Sequence, residues 1–191
     1  IAVNDGKAIK NDLIYGSVSG KKVDEDGNAL GGAMIGLFRT DDGEFTKENA
    51  LMTTTSAEDG SFSFENIPCG TWYVREIEQP TGFVLDDTIY PVTIGTDGQV
   101  VEIEIVNEYG RGNIQLTKVD SEYPDNKLTG AVFEVYKDSN NNSRLDEGDE
   151  LLGTLTEKEI GEYGMNDLFY GRYFIKETNA PDGFVLDTDV Y

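Results

Sequence analysis

Histidine is absent from this chain of 191 residues, and cysteine occurs once, at Cys69. The first absence excludes histidine-based triads, histidine general bases and histidine-ligated zinc together. The second excludes an internal disulfide, so the chain is stabilised by other means. With no base evident near it, Cys69 reads as a stray, partly exposed thiol rather than a nucleophile. Basic residues are scarce as well: 15 Lys+Arg stand against 37 Asp+Glu, a formal charge of −22. Nucleic acid and anionic membranes repel such a chain, so neither is expected as a partner. No apolar run approaches the roughly 18–20 residues of a membrane helix, and no basic-then-apolar signal segment opens the sequence. The apolar share of 38% supports modest cores, and the length suits one to two ordinary domains.

What the sequence does contain is a repeat. KKVDEDGNALGGAMIGLF (Lys21 to Phe38) returns as TKVDSEYPDNKLTGAVFEVY (Thr117 to Tyr136), and WYVREIEQPTGFVLDD (Trp72 to Asp87) returns as YFIKETNAPDGFVLDT (Tyr173 to Thr188). Lys118 stands 96 residues after Lys22, and Glu177 stands 101 after Glu76, so the second copy carries a net insertion of five residues. Two small domains of one type follow, over residues 15–109 and 112–191. Each reads as β throughout. Short alternating runs such as VFEVY, SFSF and VEIEIV are parted by Asp-Gly turns at Asp26, Asp59 and Asp97. Only Leu155–Tyr163 passes for a helical turn. The expected fold is all-β: two tandem β-sandwiches, immunoglobulin-like or prealbumin-like.

Strand side chains alternate, so parity assigns faces. Lys22 continues the face of Val18 and Gly20, and Lys118 that of Ile114 and Leu116. Glu76 follows Trp72 and Val74; Glu177 follows Tyr173 and Ile175. Asn107 takes the inward place after Ile103 and Ile105. Each of these polar types is costly to bury alone. One reading is a buried Lys–Glu ion pair with a hydrogen-bonded Asn, or strand ends at which parity no longer means burial. The other is covalent: a desolvated Lys becomes a nucleophile, a buried Glu is pushed towards its neutral form and relays protons, and the amine displaces ammonia from the Asn carboxamide.

The pattern Lys-Val-Asp, then Leu-x-Gly-Ala, then an aromatic-x-x-x-Glu-x-x-x-Pro-x-Gly-Phe box resembles the Cna protein B-type domains, also called SpaA-type or prealbumin-like, of Gram-positive surface adhesins and pilins. The resemblance covers nearly the whole chain, twice. It implies an isopeptide bond between Lys22 and Asn107 with Glu76 as catalyst, and the same roles for Lys118 and Glu177. Trp72 in the Tyr place of the box, and Gln79 before Pro80, depart mildly from the pattern. The implied protein is a stalk segment of a wall-associated surface protein, with neighbouring domains of that protein as partners. It is no turnover enzyme, since the chemistry modifies only itself. The alternative is an adhesive module whose loop face takes a host protein or glycan. No Leu-Pro-x-Thr-Gly sorting signal occurs, so a wall anchor is expected outside this stretch.

The insertion of the second copy includes a loop with oxygen side chains at calcium spacing. Asp138, Asn140, Asn142, Asp146 and Asp149 supply positions 1, 3, 5, 9 and 12, with the Arg144 carbonyl at 7. Ser143 replaces the usual turn glycine, and Asp149 the usual Glu, as in the dockerin-type loops that this stretch also resembles. One calcium ion is the implied cofactor; an empty acidic hairpin is the competing expectation.

Asn11 precedes Lys22 by the same 11 residues that separate Asn107 from Lys118. Residues 1–14 therefore read as the last strand of a preceding domain, carrying its bonding Asn. Tyr191 aligns with Tyr90, before any last-strand Asn for the second copy. Either that strand belongs to a longer parent, or residues 1–12 of another copy exchange into its place and bring Asn11 towards Lys118.

Overall fold

The computed structural model describes residues 10–191. Among them there is strand but no helix, hence none long and apolar enough to cross a membrane. The chain divides into two compact units that part between Tyr109 and Gly110. Residues 1–9, with most of the segment read as a last strand, lie outside the described residues; residues 10–14 are in no strand, and Asn11 among them is exposed.

The first unit holds β1 (Tyr15–Asp24), β2 (Met34–Phe38), β3 (Met52–Thr55), β4 (Ser61–Pro68), β5 (Gly70–Glu78), β6 (Tyr90–Ile94) and β7 (Gln99–Asn107). They form two sheets, in the orders β4-β1-β7 and β3-β2-β5-β6. Both sheets contribute alternate residues to one core: Val18, Phe62, Phe64 and Ile105 from the first, Ile35, Leu37, Trp72, Val74, Val92 and Ile94 from the second. At about 1.5–3 kcal/mol for each fully buried large apolar side chain, this shared core is the main term holding the sheets together. The first and last strands of the unit run side by side and parallel, with Lys22 opposite Ile105 and Asp24 opposite Asn107.

The second unit repeats the plan with β8 (Arg111–Thr117), β9 (Val132–Lys137), β10 (Glu150–Thr154), β11 (Thr156–Glu159), β12 (Glu162–Phe169) and β13 (Tyr173–Asn179). Its sheets are β11-β12-β8 and β10-β9-β13, around Phe133, Val135, Leu155 and Tyr163. Among the described residues β8 is paired along one edge only, whereas β1 carries β4 on one edge and β7 on the other. The Leu155–Tyr163 stretch is a hairpin of β11 and β12 and not a helical turn. Its Thr156, Glu157 and Glu159 are paired with β12, so tertiary pairing overrides the helical look of LTEKEIGEY.

Candidate functional site

Lys22, Glu76 and Asn107 meet inside the first unit, none of them more than 1% exposed. Lys21, one residue away, is exposed, as the alternation of β1 requires. Lys22 Nζ lies 3.6 Å from Glu76 Oε1, an ion contact longer than a hydrogen bond. Asn107 donates from Nδ2 to Glu76 Oε2 at 2.7 Å and to the Val84 carbonyl at 2.6 Å. Lys22 Nζ, Glu76 Oε1 and Asn107 Oδ1 are buried without a hydrogen-bond partner. Burial holds the pKa of Lys22 below the ordinary lysine value, and the charges of Glu76 and Asp86 only partly oppose it. A lysine in such a place is a readier nucleophile than one in water.

The backbone around Lys22 is fixed by hydrogen bonds to the chain just before β2 and just before β4. Its N–H donates to the Gly60 carbonyl at 2.7 Å, and its own carbonyl accepts from Leu30 at 3.0 Å. Gly60 has φ of 78°, and a Cβ there would stand 2.3 Å from the Lys22 carbonyl oxygen, so glycine is required on both counts. Beyond Asn107, Tyr109 donates its hydroxyl to Asp24 at 2.7 Å, closing the end of the β1–β7 pair. That bond, with burial, pushes the Tyr109 hydroxyl up to about 12.

The second unit places Lys118 and Glu177 alike. Lys118 Nζ is 2.9 Å from Glu177 Oε1, with the lysine side chain 18% exposed and the glutamate 1%. Lys118 donates its N–H to Gly161 at 2.8 Å and accepts from Leu128 at 2.9 Å, the bonds that Lys22 makes with Gly60 and Leu30. Among the described residues no asparagine hydrogen-bonds to Glu177; Asn11 belongs to the first unit. Lys118, Phe133, Asp187 and Tyr191 line a recess of about 390 Å³.

Strand parity, which locates the three residues, does not reach three further features of the site. First, the strand register slips beside each glutamate, between Met34 and Ile35 opposite Glu76 and between Glu177 and Asn179. Such bulges re-aim a side chain. Second, Trp72 answers for the expected Tyr: its indole N–H donates to the Pro68 carbonyl at 2.8 Å, as the Tyr173 hydroxyl donates to Phe169 at 2.5 Å. Third, the backbone N–H of Asp86 donates to Glu76 Oε2 at 2.7 Å, and that of Asp187 to Glu177 Oε2 at 2.7 Å. A signal for this last one does exist in the sequence, because Asp86 and Tyr90 return as Asp187 and Tyr191 at the same 101-residue spacing.

The model of the SpaA prealbumin-like fold domain matches residues 16–109 and again 112–191. The chain belongs to this family, in two tandem copies. Among solved structures, the Bacillus anthracis TIE protein is similar at 28% identity and a TM-score of 0.74, over 93% of this chain. This chain spans 31% of that protein. A Streptococcal ancillary pilin shares 28% identity over 95% of this chain and 59% of its own, with a TM-score of 0.48. BcpA, the major pilin subunit of Bacillus cereus, shares 16% identity over 93% and 94% of the two chains, with a TM-score of 0.40. No curated protein matches the sequence.

The 138–149 loop lies apart from the lysine site. Asp138 is buried and accepts from the Asn142 and Ser143 N–H groups at 3.1 Å each and from Arg172 Nη1 at 3.3 Å. Asn140 and Asn142 turn their amide nitrogens onto Asp146, while Asp149 accepts from Ser139 and Asp146. Ser143 takes φ of 65°, the left-handed conformation that a glycine at this loop position would supply. Among the described residues no three His, Cys, Asp or Glu side chains gather as a metal-holding group.

Proposed function

We propose that these SpaA-type domains form a stalk segment of a Gram-positive surface protein, pilin-like or adhesin-like, and that Lys22 and Asn107 join as an intramolecular amide under the influence of Glu76. One observation carries the reading: three polar groups that burial penalises converge, and the lysine nitrogen and the carboxamide oxygen have no hydrogen-bond partner. A structural ion network normally satisfies such groups. Here the arrangement is that of reactants. The Lys22 nitrogen gives up a proton towards Glu76 Oε1 and attacks Asn107 Cγ; the Cγ–Nδ2 bond breaks. Of the three protons on the lysine ammonium, one stays on the new amide and two leave with Nδ2 as ammonium, so the Glu76 carboxylate is regenerated. The bond replaces a buried charge by a neutral group and ties β1 to β7, the strands that tension on the chain would separate first. No oxidant is consumed, which suits a chain with one cysteine.

On this reading the protein is extracellular and wall-associated, its partners are the neighbouring domains of the same protein, and its chemistry is a single self-modification without turnover. Intact mass of the folded chain tests it: a mass lower by one ammonia supports the cross-link, and a mass equal to the plain residue sum ends it. Retention on arrayed glycans or host proteins is the result that would favour the adhesive alternative.

We also propose that the Asp138–Asp149 loop takes one calcium ion. The spacing of its oxygens, the anchored Asp138 and the left-handed Ser143 support this second reading. Calcium binding requires Arg172 to release Asp138 and the two carboxamides to turn their oxygens inward.

A further inference from the structure

Beyond the lysine, the glutamate and the asparagine, one set of hydrogen bonds appears twice with the same partners. In the first unit the Tyr90 hydroxyl donates to Asp86 Oδ2 at 2.6 Å, the Thr88 N–H donates to Asp86 Oδ1 at 3.0 Å, and the Asp86 N–H donates to Glu76 Oε2 at 2.7 Å. In the second, Tyr191 donates to Asp187 Oδ2 at 2.6 Å, the Asp189 N–H to Asp187 Oδ1 at 3.0 Å, and the Asp187 N–H to Glu177 Oε2 at 2.7 Å. Both of the Asp86 carboxylate oxygens are thus committed within residues 86–90, while its N–H reaches back to Glu76 in β5. The chain joining β5 to β6 is irregular from residue 84 onwards: Phe83 bridges Tyr109 and the Val84 N–H donates to the Glu108 carbonyl at 2.8 Å, and this latch then holds residues 86–90.

We propose that Asp86 and Tyr90 are positioning residues for the cross-linking step, a proposal that rests on the reading of Lys22, Glu76 and Asn107 as reactants. Their latch holds the Asp86 N–H on Oε2, which fixes the carboxylate plane and leaves Oε1 turned to the lysine. That division is the same in both units: Lys22 and Lys118 each face Oε1, and the latched N–H is on Oε2. The second unit keeps the latch although no asparagine is hydrogen-bonded to Glu177 among its described residues. The latch therefore forms independently of the acceptor amide and is not a product of its docking. In the first unit the same turn also grips the leaving nitrogen, since the Val84 carbonyl accepts from Asn107 Nδ2. One segment, residues 84–86, thus aligns both the proton acceptor and the leaving group, and alignment of this kind is worth orders of magnitude in rate.

The test follows bond formation in the full chain during a timed cell-free synthesis, with acid quenching and intact mass, and follows folding in parallel by the fluorescence of the single, buried Trp72. Tyr90→Phe, which deletes one oxygen, is expected to slow the loss of ammonia at least about tenfold while the Trp72 signal matures at the wild-type rate. Asp86→Ala is expected to be slower still, and Asp86→Asn, which keeps an acceptor for the Thr88 N–H, to recover part of the rate. Wild-type rates in Tyr90→Phe and Asp86→Ala, with ammonia still lost, overturn the latch and leave the cross-link standing. Slowing of folding and bonding by the same factor in Tyr90→Phe makes the residues merely structural and also overturns it. No loss of ammonia in the wild-type chain removes the underlying reading itself.

Discussion

Lys22 Nζ and Glu76 Oε1 stand 3.6 Å apart with both side chains wholly buried. Left as ions, the two would repay only part of the cost of their desolvation, and removing either would strand the other. The proposed amide with Asn107 would resolve this by removing the lysine charge. It would close a loop of 85 residues between positions 22 and 107. By the chain-entropy argument used for disulfides, closure of a loop of this size contributes about 4.6 kcal/mol.

The first prediction follows. Glu76→Gln and Glu76→Ala are expected to retain the mass of one ammonia, and Lys22→Ala and Asn107→Ala to lack the bond altogether. Each unlinked form is expected to unfold roughly 18–37 °C below the linked one, taking about 4–8 °C per kcal/mol for a domain of this size. Calorimetric scans of the first unit's transition, set beside the intact masses, check it. Equal midpoints for bonded and unbonded forms would show that the amide adds no stability.

A second prediction concerns pH. Burial depresses the Lys22 pKa in the folded chain below its ordinary value of 10.5. In an unlinked variant that keeps this lysine, such as Asn107→Ala, the unfolded state binds the proton more tightly than the folded one. Stability then rises with pH across the interval from the depressed value up to about 10.5, and the full penalty is present below that interval. The linked chain has no titrating lysine there. Denaturant midpoints of Asn107→Ala are therefore expected to climb relative to those of the cross-linked protein as pH is raised towards that limit. A parallel pH dependence of the two would mean that Lys22 is not desolvated as the structure has it.

Gly60 gives a third. Its φ of 78° and the 2.3 Å approach of a would-be Cβ to the Lys22 carbonyl add a clash with backbone to the left-handed strain of about 1–2 kcal/mol. Gly60→Ala is expected to cost more than that strain alone and to slow bond formation, because Lys22 must shift. Gly27→Ala is the matched control: its φ is 82° with nothing within 4 Å, so only the conformational term remains. Similar losses in the two variants, by denaturant unfolding, would rule out the clash.

Strand parity makes Lys22, Glu76 and Asn107 legible in the sequence, because a period of two leaves no choice about which face a residue takes. The latch is less so. Asp86 acts through its backbone N–H in a turn where neither period applies, so only the return of Asp86 and Tyr90 as Asp187 and Tyr191 marks it in the sequence. The bulges beside Glu76 and Glu177 are hidden for a related reason: they are mismatches between two strands, and a single strand does not show them. Leu155–Tyr163 misleads because its glutamates and lysine suit a helix locally, while pairing with β12 decides the outcome.

The second unit yields a fourth prediction. Lys118 is 18% exposed beside Glu177, whereas Lys22 is sealed. Under a water-soluble amine reagent at limiting dose, Lys118 is expected to be modified in the folded chain and Lys22 to be protected. Peptide mapping reads both at once. The same samples on a denaturing gel address exchange between copies: a covalent ladder lost in Asn11→Ala and in Lys118→Ala supports it, and a single band with Lys118 fully labelled excludes it.

The last prediction turns on Arg172. Its guanidinium donates to Asp138 Oδ2 and to the Ser143 hydroxyl, and so places a fixed positive charge where position 1 of the loop meets a cation. Two cations at close range on one buried carboxylate repel each other, although the Arg172 side chain itself is half exposed. If the loop takes calcium, Arg172 must leave, and its departure weakens the affinity that is measured. Arg172→Ala is therefore expected to bind calcium several-fold more tightly than the wild type, and Asp138→Ala to lose the heat of binding. Asp146 supplies a second check. Hydrogen bonds from Gly148, Asn142 and Asn140 hold its carboxyl below the usual range, so the loop keeps this charge well into acid. Because calcium would turn the Asn140 and Asn142 nitrogens away from Asp146, binding gives up part of this effect, and the affinity is expected to fall as pH is lowered towards the ordinary carboxylate range. Titration calorimetry of the full chain, the two variants and a pH series decides the matter. No heat in any of them leaves the loop as a hairpin closed by its own hydrogen bonds, with Arg172 as its permanent counter-charge.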